Sequence, residues 1–231
     1  MKLFTTSNPK TLKSQKVGWF EIILHLAPHT LSGYNTCKWS TEGCRTLCLN
    51  SSGFSGRFDA IQKKRIERTK MLFEDTENFL KLIDAEITYY KAVAKQIKMK
   101  LLVRLNGTSD IQWDEYLLEN KSLYERHLDT VFINYTKHLN YKAKTHNHFV
   151  VYSVQQDTIQ KGLKILENGG TIAGVFSKVP SSFMGWEVTD GDVHDAIHLH
   201  QNKFLGLKYK NLTYKGVDNK ELVKNNALIL H

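Results

Sequence analysis

The three cysteines of the chain lie within one polar segment of twelve residues. They are Cys37, Cys44 and Cys48, separated first by six and then by three residues, and Gly43 lies between the first two. Three thiolates from one loop can bind three irons of a cubane iron–sulfur cluster, which leaves the fourth iron open to a substrate, a cofactor or another protein ligand. The spacing therefore predicts a 4Fe–4S cluster with these three cysteines as its metal ligands.

Other interpretations of the cysteines stay open. They could be small apolar side chains of the core, or a disulfide with one free thiol. A zinc ion is the alternative metal, because His25 or His29 could complete a tetrahedral Cys3His set. The spacing lacks the Cys-x-x-Cys pair that is common in zinc ribbons, and the start of the chain lacks the apolar core of a signal peptide. We therefore expect a cytoplasmic protein, since thiols there stay reduced and clustered cysteines often bind metal.

The composition predicts one basic domain. The chain has 231 residues, 41% of them hydrophobic, and a formal net charge of +9. One α/β domain over residues 1–231 fits this length, with the cysteine-rich loop at about 28–56. No apolar stretch approaches the ~20 residues that cross a bilayer, so we expect no membrane contact. The positive charge favours an anionic small-molecule or nucleotide-like ligand.

Hydrophobic patterns predict that strands alternate with helices. The predicted strands are 19–27, 101–105, 130–135, 149–153 and 171–176, and the predicted helices run from Asp59 to Lys70, from Asp75 or Thr76 to about Ile97, and from Asp157 or Thr158 through Leu166. Such an order is typical of mostly parallel sheets, which form either barrels or open doubly wound sheets. We expect a partial (β/α) TIM-like barrel, with the cysteine loop after its first strand.

Polar residues follow the carboxyl end of each predicted strand, where sheets of this class carry their sites. The segment 104–110 offers a cation, an amide, two hydroxyls and a carboxylate around a glycine, although Ser109 or Asp110 could instead cap a helix. The segment 190–195 offers three carboxylates and a histidine, or alternatively a tight turn with Gly191 at positive φ. The predicted ligand-binding residues are Arg104, Asn106, Thr108, Asp110, Tyr135, Lys137, Asp190, Asp192 and Asp195.

Two further groups of residues have weaker patterns. The basic residues Lys63, Lys64, Arg65 and Arg68 on the first predicted helix could contact nucleic acid weakly, or could form a solvated face. His194, His198 and His200 alternate on a segment that resembles a strand, where they could bind metal or face solvent.

With these residues in view, the chain resembles the phage and prophage family named after mycobacteriophage gene product 88. The resemblance runs from Asn8 to Lys210, and its most specific pieces are Ser32–Cys37 with Gly43, Cys44 and Cys48, then Arg104–Asp110, Tyr135–Lys137, Asp190–Asp192 and Asp195. Members often carry proline after the first cysteine and arginine shortly after the last aspartate, where this chain has Lys38 and Ala196-Ile197-His198. The resemblance implies phage origin, and hence the cytoplasm of the host, but it implies no reaction.

A more distant similarity connects the chain to radical S-adenosylmethionine enzymes. In those enzymes a three-cysteine loop follows the first strand of a partial barrel, and the open iron binds the methionine part of the cofactor. The six-then-three spacing here replaces their three-then-two spacing. The sequence thus favours an iron–sulfur enzyme of radical-SAM type, with S-adenosylmethionine as a possible cofactor. The alternative is a non-catalytic phage protein that binds nucleic acid or a host factor and uses the cluster or zinc as a structural element.

Overall fold

The computed structural model describes residues 2–48, 50, 58–210 and 226–231. In this part of the chain the α-helices are α1 (Pro9–Gln15), α2 (Glu42–Thr46), α3 (Asp59–Glu74), α4 (Thr76–Gln96), α5 (Leu123–Arg126) and α6 (Ile159–Glu167). Short 3₁₀ helices cover Trp113–Glu115 and Asp195–Leu199. Most of the predicted cysteine loop is described, whereas its residues 49 and 51–56 lie outside the described residues.

The strands form one ten-stranded sheet and a separate small hairpin. The strands are β1 (Phe4–Thr5), β2 (Trp19–Leu24), β3 (Lys100–Arg104), β4 (Leu117–Leu118), β5 (Lys121–Ser122), β6 (Val131–Thr136), β7 (His148–Ser153), β8 (Thr171–Phe176), β9 (Ser182–Phe183), β10 (Trp186–Asp190), β11 (Phe204–Lys208) and β12 (Ile229–Leu230). The order in the large sheet is β1-β2-β3-β6-β7-β8-β11-β10-β9, and β12 pairs with β8, while β4 and β5 form the hairpin.

The large sheet is parallel from β2 to β10, and short antiparallel strands border it at both edges. The predicted α/β class with a mostly parallel sheet is therefore confirmed. Within the described residues the sheet does not close into a barrel, so the TIM-like curvature stays a prediction. The strand that was predicted to be first is β2, because the short strand β1 precedes it and pairs with it.

The long helices pack on one face of the sheet because their apolar side chains match those of the strands. Helix α4 buries Phe79, Leu80 and Ile83 in the same cluster as Ile22 of β2 and Val103 of β3. Helix α6 packs on Ile172 of β8, which the strand register places on this same face. The crossovers that contain α4 and α6 thus lie on one side of the sheet.

The opposite face, called the inner face below, is covered by the 3₁₀ helix Asp195–Leu199. Leu102, Ile133, Val151 and Leu205 form its core together with Ala196 of that helix. Since side chains alternate along a strand, Arg104 and Tyr135 lie on this inner face near the carboxyl ends of β3 and β6. The inner face therefore carries both a hydrophobic core and polar groups at one end of the sheet.

Most predicted elements are confirmed, and the differences have local causes. Three helices (α1, α2 and α5), the 3₁₀ helix Trp113–Glu115, the hairpin β4–β5 and the strands β1, β9, β10, β11 and β12 were not predicted, because each is short or lacks a long periodic pattern. The segment with His194, His198 and His200 resembled a strand, but that prediction was wrong. It forms a 3₁₀ helix whose backbone N–H of Ile197 donates to His194 Nδ1. No helix of the described residues is long and apolar enough to cross a membrane.

Candidate functional site

A cavity of about 250 Å³ lies at the carboxyl ends of the parallel strands. Its lining includes residues of the cysteine loop, of the segment after β3, of the ends of β6 and β7, and of the segment that follows β11. The predicted site residues that line it are Cys37, Cys44, Cys48, Arg104, Asn106, Thr108, Asp110, Tyr135, Lys137 and Asp192. Residues from widely separated segments therefore meet at one place, as the strand-end argument predicts.

Cys37 is held by hydrogen bonds around its neighbour Thr36. The Thr36 hydroxyl donates to the carbonyl of Ala27 at 2.7 Å, and the Thr36 carbonyl accepts from the N–H of Asp110 at 2.8 Å. The backbone N–H of His29 donates to the Cys37 sulfur at 3.3 Å. The chain thus fixes this thiol between the end of β2 and the segment after β3.

Cys44 and Cys48 lie on and just after the short helix α2. Thr41 caps this helix, since its hydroxyl oxygen accepts from the N–H of Cys44 at 3.2 Å and its hydroxyl proton goes to Gln155 Oε1 at 2.8 Å. Cys48 lies near the buried guanidinium of Arg65, whose Nη1 donates to Asn50 Oδ1. Helix α3 therefore supplies a charged side chain that faces the cysteine loop.

Burial controls the protonation of all three thiols. It raises the pKa of Cys37 and Cys44, and it raises the pKa of Cys48 to about 11. Each thiol is therefore protonated at neutral pH in the metal-free chain. A metal that binds here must displace these protons, so its affinity must rise with pH.

The described residues contain no group of three or more His, Cys, Asp or Glu side chains that could hold a single metal ion. The absence of such a group among the described residues gives no support to the alternative of a zinc ion bound by the three cysteines and His25 or His29. A cubane cluster binds each thiolate through a different iron, so its ligands need not converge on one point. The three thiols share the lining of one cavity, and the cluster stays a prediction.

Asn106 organises the segment after β3. Its side-chain amide donates to the carbonyl of Ile111 at 2.8 Å, and its Oδ1 accepts from Ser109, from the N–H of Ile111 and from the indole of Trp113 at 2.9, 3.2 and 3.0 Å. Asn106 is buried. Its polar atoms thus serve mainly to hold the loop, although it also borders the cavity.

Gly107 lets this segment cross close to the end of β2. A Cβ atom at this position would lie 2.4 Å from His25 Nδ1 and 2.6 Å from the carbonyl oxygen of Leu24. The Gly107 N–H donates to that same carbonyl at 2.9 Å. The next residue, Thr108, donates from its hydroxyl to the carbonyl of Leu26 at 2.6 Å. The two loops are therefore joined directly beneath the cysteines.

Asp110 and Lys137 place opposite charges beside the thiols. The Asp110 carboxylate accepts from the backbone N–H of Lys137 at 2.9 Å, and burial raises its pKa. The alternative that Asp110 caps a helix is wrong, because the next helix begins at Trp113 with Gln112 as its cap. The Lys137 ammonium donates to Gln155 Oε1 at 3.2 Å, and burial lowers its pKa while the nearby Cys44 acts in the opposite direction.

Asp195 lies behind the cavity rather than on its surface. Its side chain is fully buried and accepts from Lys10 Nζ at 2.5 Å and from Arg104 Nη1 at 3.1 Å. Burial alone would raise the pKa of Asp195, but the two cations hold it well below its usual range. Arg104 also lies over the ring of Tyr135, at 4.6 Å from the ring centroid. The predicted role of Asp195 as a direct ligand contact therefore does not fit its position.

Two neutral groups complete this buried network. Burial and the neighbouring Asp195 raise the pKa of Glu21 to about 9, and Ser14 donates a hydrogen bond to its carboxyl at 2.7 Å. Burial lowers the pKa of His198 to about 3, and its Nδ1 lies 2.7 Å from the Tyr135 hydroxyl. Both groups are uncharged at neutral pH, so the network keeps two cations and one carboxylate.

The remaining predicted residues of segment 190–195 have different roles. Asp190 is exposed and is not part of the cavity lining in the described chain; its Oδ1 accepts from the N–H of Asp192 at 2.8 Å. Asp192 borders the cavity and accepts from the N–H of Lys208 at 2.8 Å. Gly191 does not have a positive φ, so that alternative is wrong. A Cβ there would lie 2.9 Å from Leu207 Cδ2 and 3.3 Å from the carbonyl oxygen of Gly206, so Gly191 packs closely against β11.

Sequence reasoning missed several residues of the cavity. Lys10 enters from α1, and Asn8 caps that helix through hydrogen bonds to the N–H groups of Lys10 and Thr11. The Asn8-Pro9 pair is a helix-start signal that could have revealed this element. The other lining residues outside the predicted ligand set are Ser40, Leu47, Gly107, Ser109, Thr136, Ser153, Val175, Leu207, Lys208, Tyr209, Lys210 and Leu228. Of these, Gly107, Ser109, Thr136 and Ser153 lie at the ends of predicted strands, where polar site residues were expected.

The basic segment on α3 divides into two groups. Lys63 and Lys64 are exposed, whereas Arg65 is buried against the cysteine loop and Arg68 donates to the carbonyl of Lys2 at 2.8 Å. These four residues therefore do not form one continuous basic surface. Of these four residues, Lys63 and Lys64 are the exposed ones, so nucleic-acid contact by them stays a prediction.

These features describe an α/β protein whose cavity, lined by thiols and cations, lies at the carboxyl ends of parallel strands. The chain belongs to the gene product 88 family of phage proteins, since the model of that family, described as Gene product 88, matches residues 2–222. The predicted family is thereby confirmed. None of the curated proteins matches the chain, and none of the solved structures does.

Proposed function

We propose that the chain is an iron–sulfur enzyme in which Cys37, Cys44 and Cys48 hold a 4Fe–4S cluster with one open iron. The observation that carries this proposal is the shared cavity, because all three thiols line it together with polar groups from separate strand ends. A structural metal site would need no cavity beside it and would use closed coordination. An open iron beside a polar cavity instead favours a ligand that contacts both.

The chemistry of the donors fits a cluster. Three thiols are the ligand type that iron–sulfur clusters require, and the described residues offer no convergent group for a single ion. When bound, the cluster would supply electron transfer and one coordination position for a ligand. The protein would lose a proton from each cysteine on binding, since burial keeps the free thiols protonated.

The side chains around the thiols would control charge and orientation. Lys137 lies near Cys44 and would offset the negative charge of its thiolate. Lys137 also donates to Gln155, and Gln155 accepts from Thr41 at the start of α2, so the position of the lysine is coupled to the helix that carries Cys44. Arg65 would act in the same way on Cys48.

S-adenosylmethionine is the ligand that the radical-SAM form of the proposal names. Its amino and carboxylate groups would occupy the open iron, and the polar groups of the cavity would contact the rest of the cofactor. A reduced, reconstituted protein should therefore change its electron paramagnetic resonance spectrum when S-adenosylmethionine is added. An unchanged spectrum at saturating cofactor, with the cluster intact, would remove S-adenosylmethionine but leave the cluster.

The primary test is metal content after anaerobic reconstitution. Wild-type protein should bind four irons and four sulfides per chain and absorb broadly at about 400 nm, because thiolate and sulfide donate charge to iron. Single changes of Cys37, Cys44 or Cys48 to alanine should abolish or strongly reduce this absorption. Ser40→Ala is the matched control, since Ser40 lines the same cavity but cannot serve as a thiolate ligand.

Three outcomes would contradict the proposal. One zinc per chain and no colour would favour the structural role within a non-catalytic protein. Full cluster content in all three cysteine variants would show that other groups hold the metal. Tight nucleic-acid binding by a protein without a cluster would support the alternative of a nucleic-acid-binding phage protein.

A further inference from the structure

Two cations meet above one buried carboxylate at the inner-face side of the cavity. Lys10 Nζ donates to Asp195 Oδ1 at 2.5 Å and to the carbonyl of Gly191 at 3.0 Å. Arg104 donates from Nη1 to Asp195 Oδ2 and from Nε to the carbonyl of Asn106, both at 3.1 Å. Both cations line the cavity, whereas Asp195 is fully buried behind them.

Both cations keep donors that no described residue uses. An ammonium has three N–H donors and a guanidinium has five, and the bonds above occupy two of each. Arg104 Nη2 has no hydrogen bond within the described part of the chain, and it is not among the buried atoms that lack a partner. The free edge of the guanidinium therefore has access to the cavity, while Tyr135 fixes its plane.

We propose that Lys10 and Arg104 form a subsite for an acidic group of the ligand, either a carboxylate or a phosphate. Asp195 is the positioning residue of this subsite, because it holds both cations without reaching the cavity itself. The inference deepens the proposed function, since the subsite belongs to the same cavity and defines its ligand as an anion. The subsite itself is made by protein groups alone.

The charge of the region supports an anion. The two cations face one carboxylate, and the adjacent Glu21 carries no compensating charge because burial keeps it protonated at neutral pH. Over the whole cavity, five described lining residues are basic and two are acidic. The basic residues are Lys10, Arg104, Lys137, Lys208 and Lys210. Cations that keep free donors in a partly desolvated cavity favour charge-assisted hydrogen bonds to oxyanions.

Calorimetric titration of the iron-free chain with sodium phosphate and, separately, with sodium malonate tests the subsite. Wild-type protein should bind at least one of the two probes saturably with one site per chain, and their relative affinity identifies phosphate or carboxylate as the group. Lys10→Met should weaken that binding about tenfold or more, because one charge-assisted hydrogen bond is lost. Lys16→Met is the matched control, since Lys16 is exposed at the end of the same helix.

Asp195→Asn tests the positioning role. The change removes a negative charge behind the subsite, which by charge alone would tighten anion binding. If Asp195 instead holds Lys10 and Arg104 in position, Asp195→Asn should bind the probe about tenfold more weakly. Thermal melts would show that the variant is folded. If Asp195→Asn does not fold, Lys10→Met still decides whether the subsite exists.

The outcomes separate this inference from the proposed function. Binding of neither probe by the wild type, or equal binding by wild type and Lys10→Met, would overturn the subsite whatever the iron content. Tighter binding by Asp195→Asn would overturn the positioning role. Saturable phosphate or malonate binding by a chain that takes up no iron would instead support the subsite and contradict the cluster.

Discussion

Asn106 shows how one buried amide can hold a functional loop. Its Oδ1 accepts three hydrogen bonds, one of them from the indole of Trp113, whose side chain is fully buried. The amide nitrogen donates to the carbonyl of Ile111. A buried donor that loses its acceptor carries the full cost of its desolvation. The residue was predicted to bind the ligand, but its contacts within the loop indicate that stability depends on it first.

We predict that Asn106→Ala lowers the free energy of unfolding by about 2–4 kcal/mol, because it leaves buried partners without hydrogen bonds. Urea denaturation measures this change. Ser109→Ala is the control, since it removes only one of the bonds to Asn106 Oδ1 and should cost about 1 kcal/mol. Loss of phosphate or malonate binding by Asn106→Ala without loss of stability would show that the amide contacts the ligand instead.

Most site residues that the sequence could identify lie at the ends of predicted strands, among the cysteines or in the acidic segment 190–195. Cys37, Lys137 and Asp110 follow strands with strong apolar patterns, so the strand ends locate them. Lys10 comes from a seven-residue helix before the first long strand, and Lys208 ends a strand in a segment that was not predicted. Asp195 is different again, because no sequence pattern distinguishes a carboxylate behind a cavity from one that lines it.

Helix α3 is the element that connects the surface to the cysteine loop. Its exposed lysines Lys63 and Lys64 point away from its buried residues Arg65, Thr69 and Leu72. The Thr69 hydroxyl donates to the carbonyl of Arg65, and its oxygen accepts from the N–H of Ala27 at the end of the strand region. The helix therefore positions the loop from one side while it exposes basic groups on the other.

We predict that the two groups of basic residues on α3 respond differently to substitution. The double change Lys63→Glu with Lys64→Glu should alter stability by less than about 0.5 kcal/mol and leave iron content unchanged, since both residues are exposed. Arg65→Gln should lower stability by about 2–3 kcal/mol and reduce iron uptake, because Arg65 is buried beside Cys48 and bonds to Asn50. Equal effects of both changes would contradict this division.

The same variants test nucleic-acid contact by the helix. Any binding of a fluorescent duplex should be weak and should decrease steeply as salt rises, because phosphate contacts release counterions. The lysine double change should weaken it for all sequences alike. Binding that persists at high salt, or that ignores the double change, would place the contact on another surface of the protein.

For the molecule as a whole, the fold class and the end of the sheet that carries the site could be predicted from long apolar runs, whereas the curvature of the sheet could not. Apolar runs in β3, β6, β7 and β8 indicate buried parallel strands, and the amphipathic pattern of α4 indicates a covering helix. Curvature of the sheet depends on pairings between distant segments, which no local pattern contains. The inner face depends on the 3₁₀ helix Asp195–Leu199, whose short length gives no periodic signal.

Buried groups whose pKa values are strongly shifted also determine how the stability of the fold depends on pH. Burial lowers the pKa of His25, His148 and His198 to about 3, 4 and 3, whereas burial raises that of Glu21 to about 9. In the unfolded chain the histidines bind protons near pH 6.5 and Glu21 near pH 4.3. Below pH 6.5 the unfolded state therefore binds more protons at the histidines, and stability falls as the pH decreases toward about 3. Between about 4.3 and 9 the folded state binds more protons at Glu21, and stability falls as the pH increases.

We predict that the free energy of unfolding of the iron-free chain is highest near pH 6.5. On the acid side the three histidines outweigh Glu21, and between pH 6.5 and about 8 the raised pKa of Glu21 contributes a decrease of at most about 1.4 kcal/mol per pH unit. At higher pH the three buried thiols, whose pKa values are also raised, add to the decrease. Urea denaturation between pH 4 and 9 measures the curve. Glu21→Gln should flatten the alkaline side up to about pH 8, and His148→Gln, which lies outside the cavity lining, should reduce the slope on the acid side. An alkaline slope that is the same in Glu21→Gln and wild type would show that Glu21 is ionised in the folded protein, and the positive charge attributed to the Lys10–Arg104 subsite would then be lost.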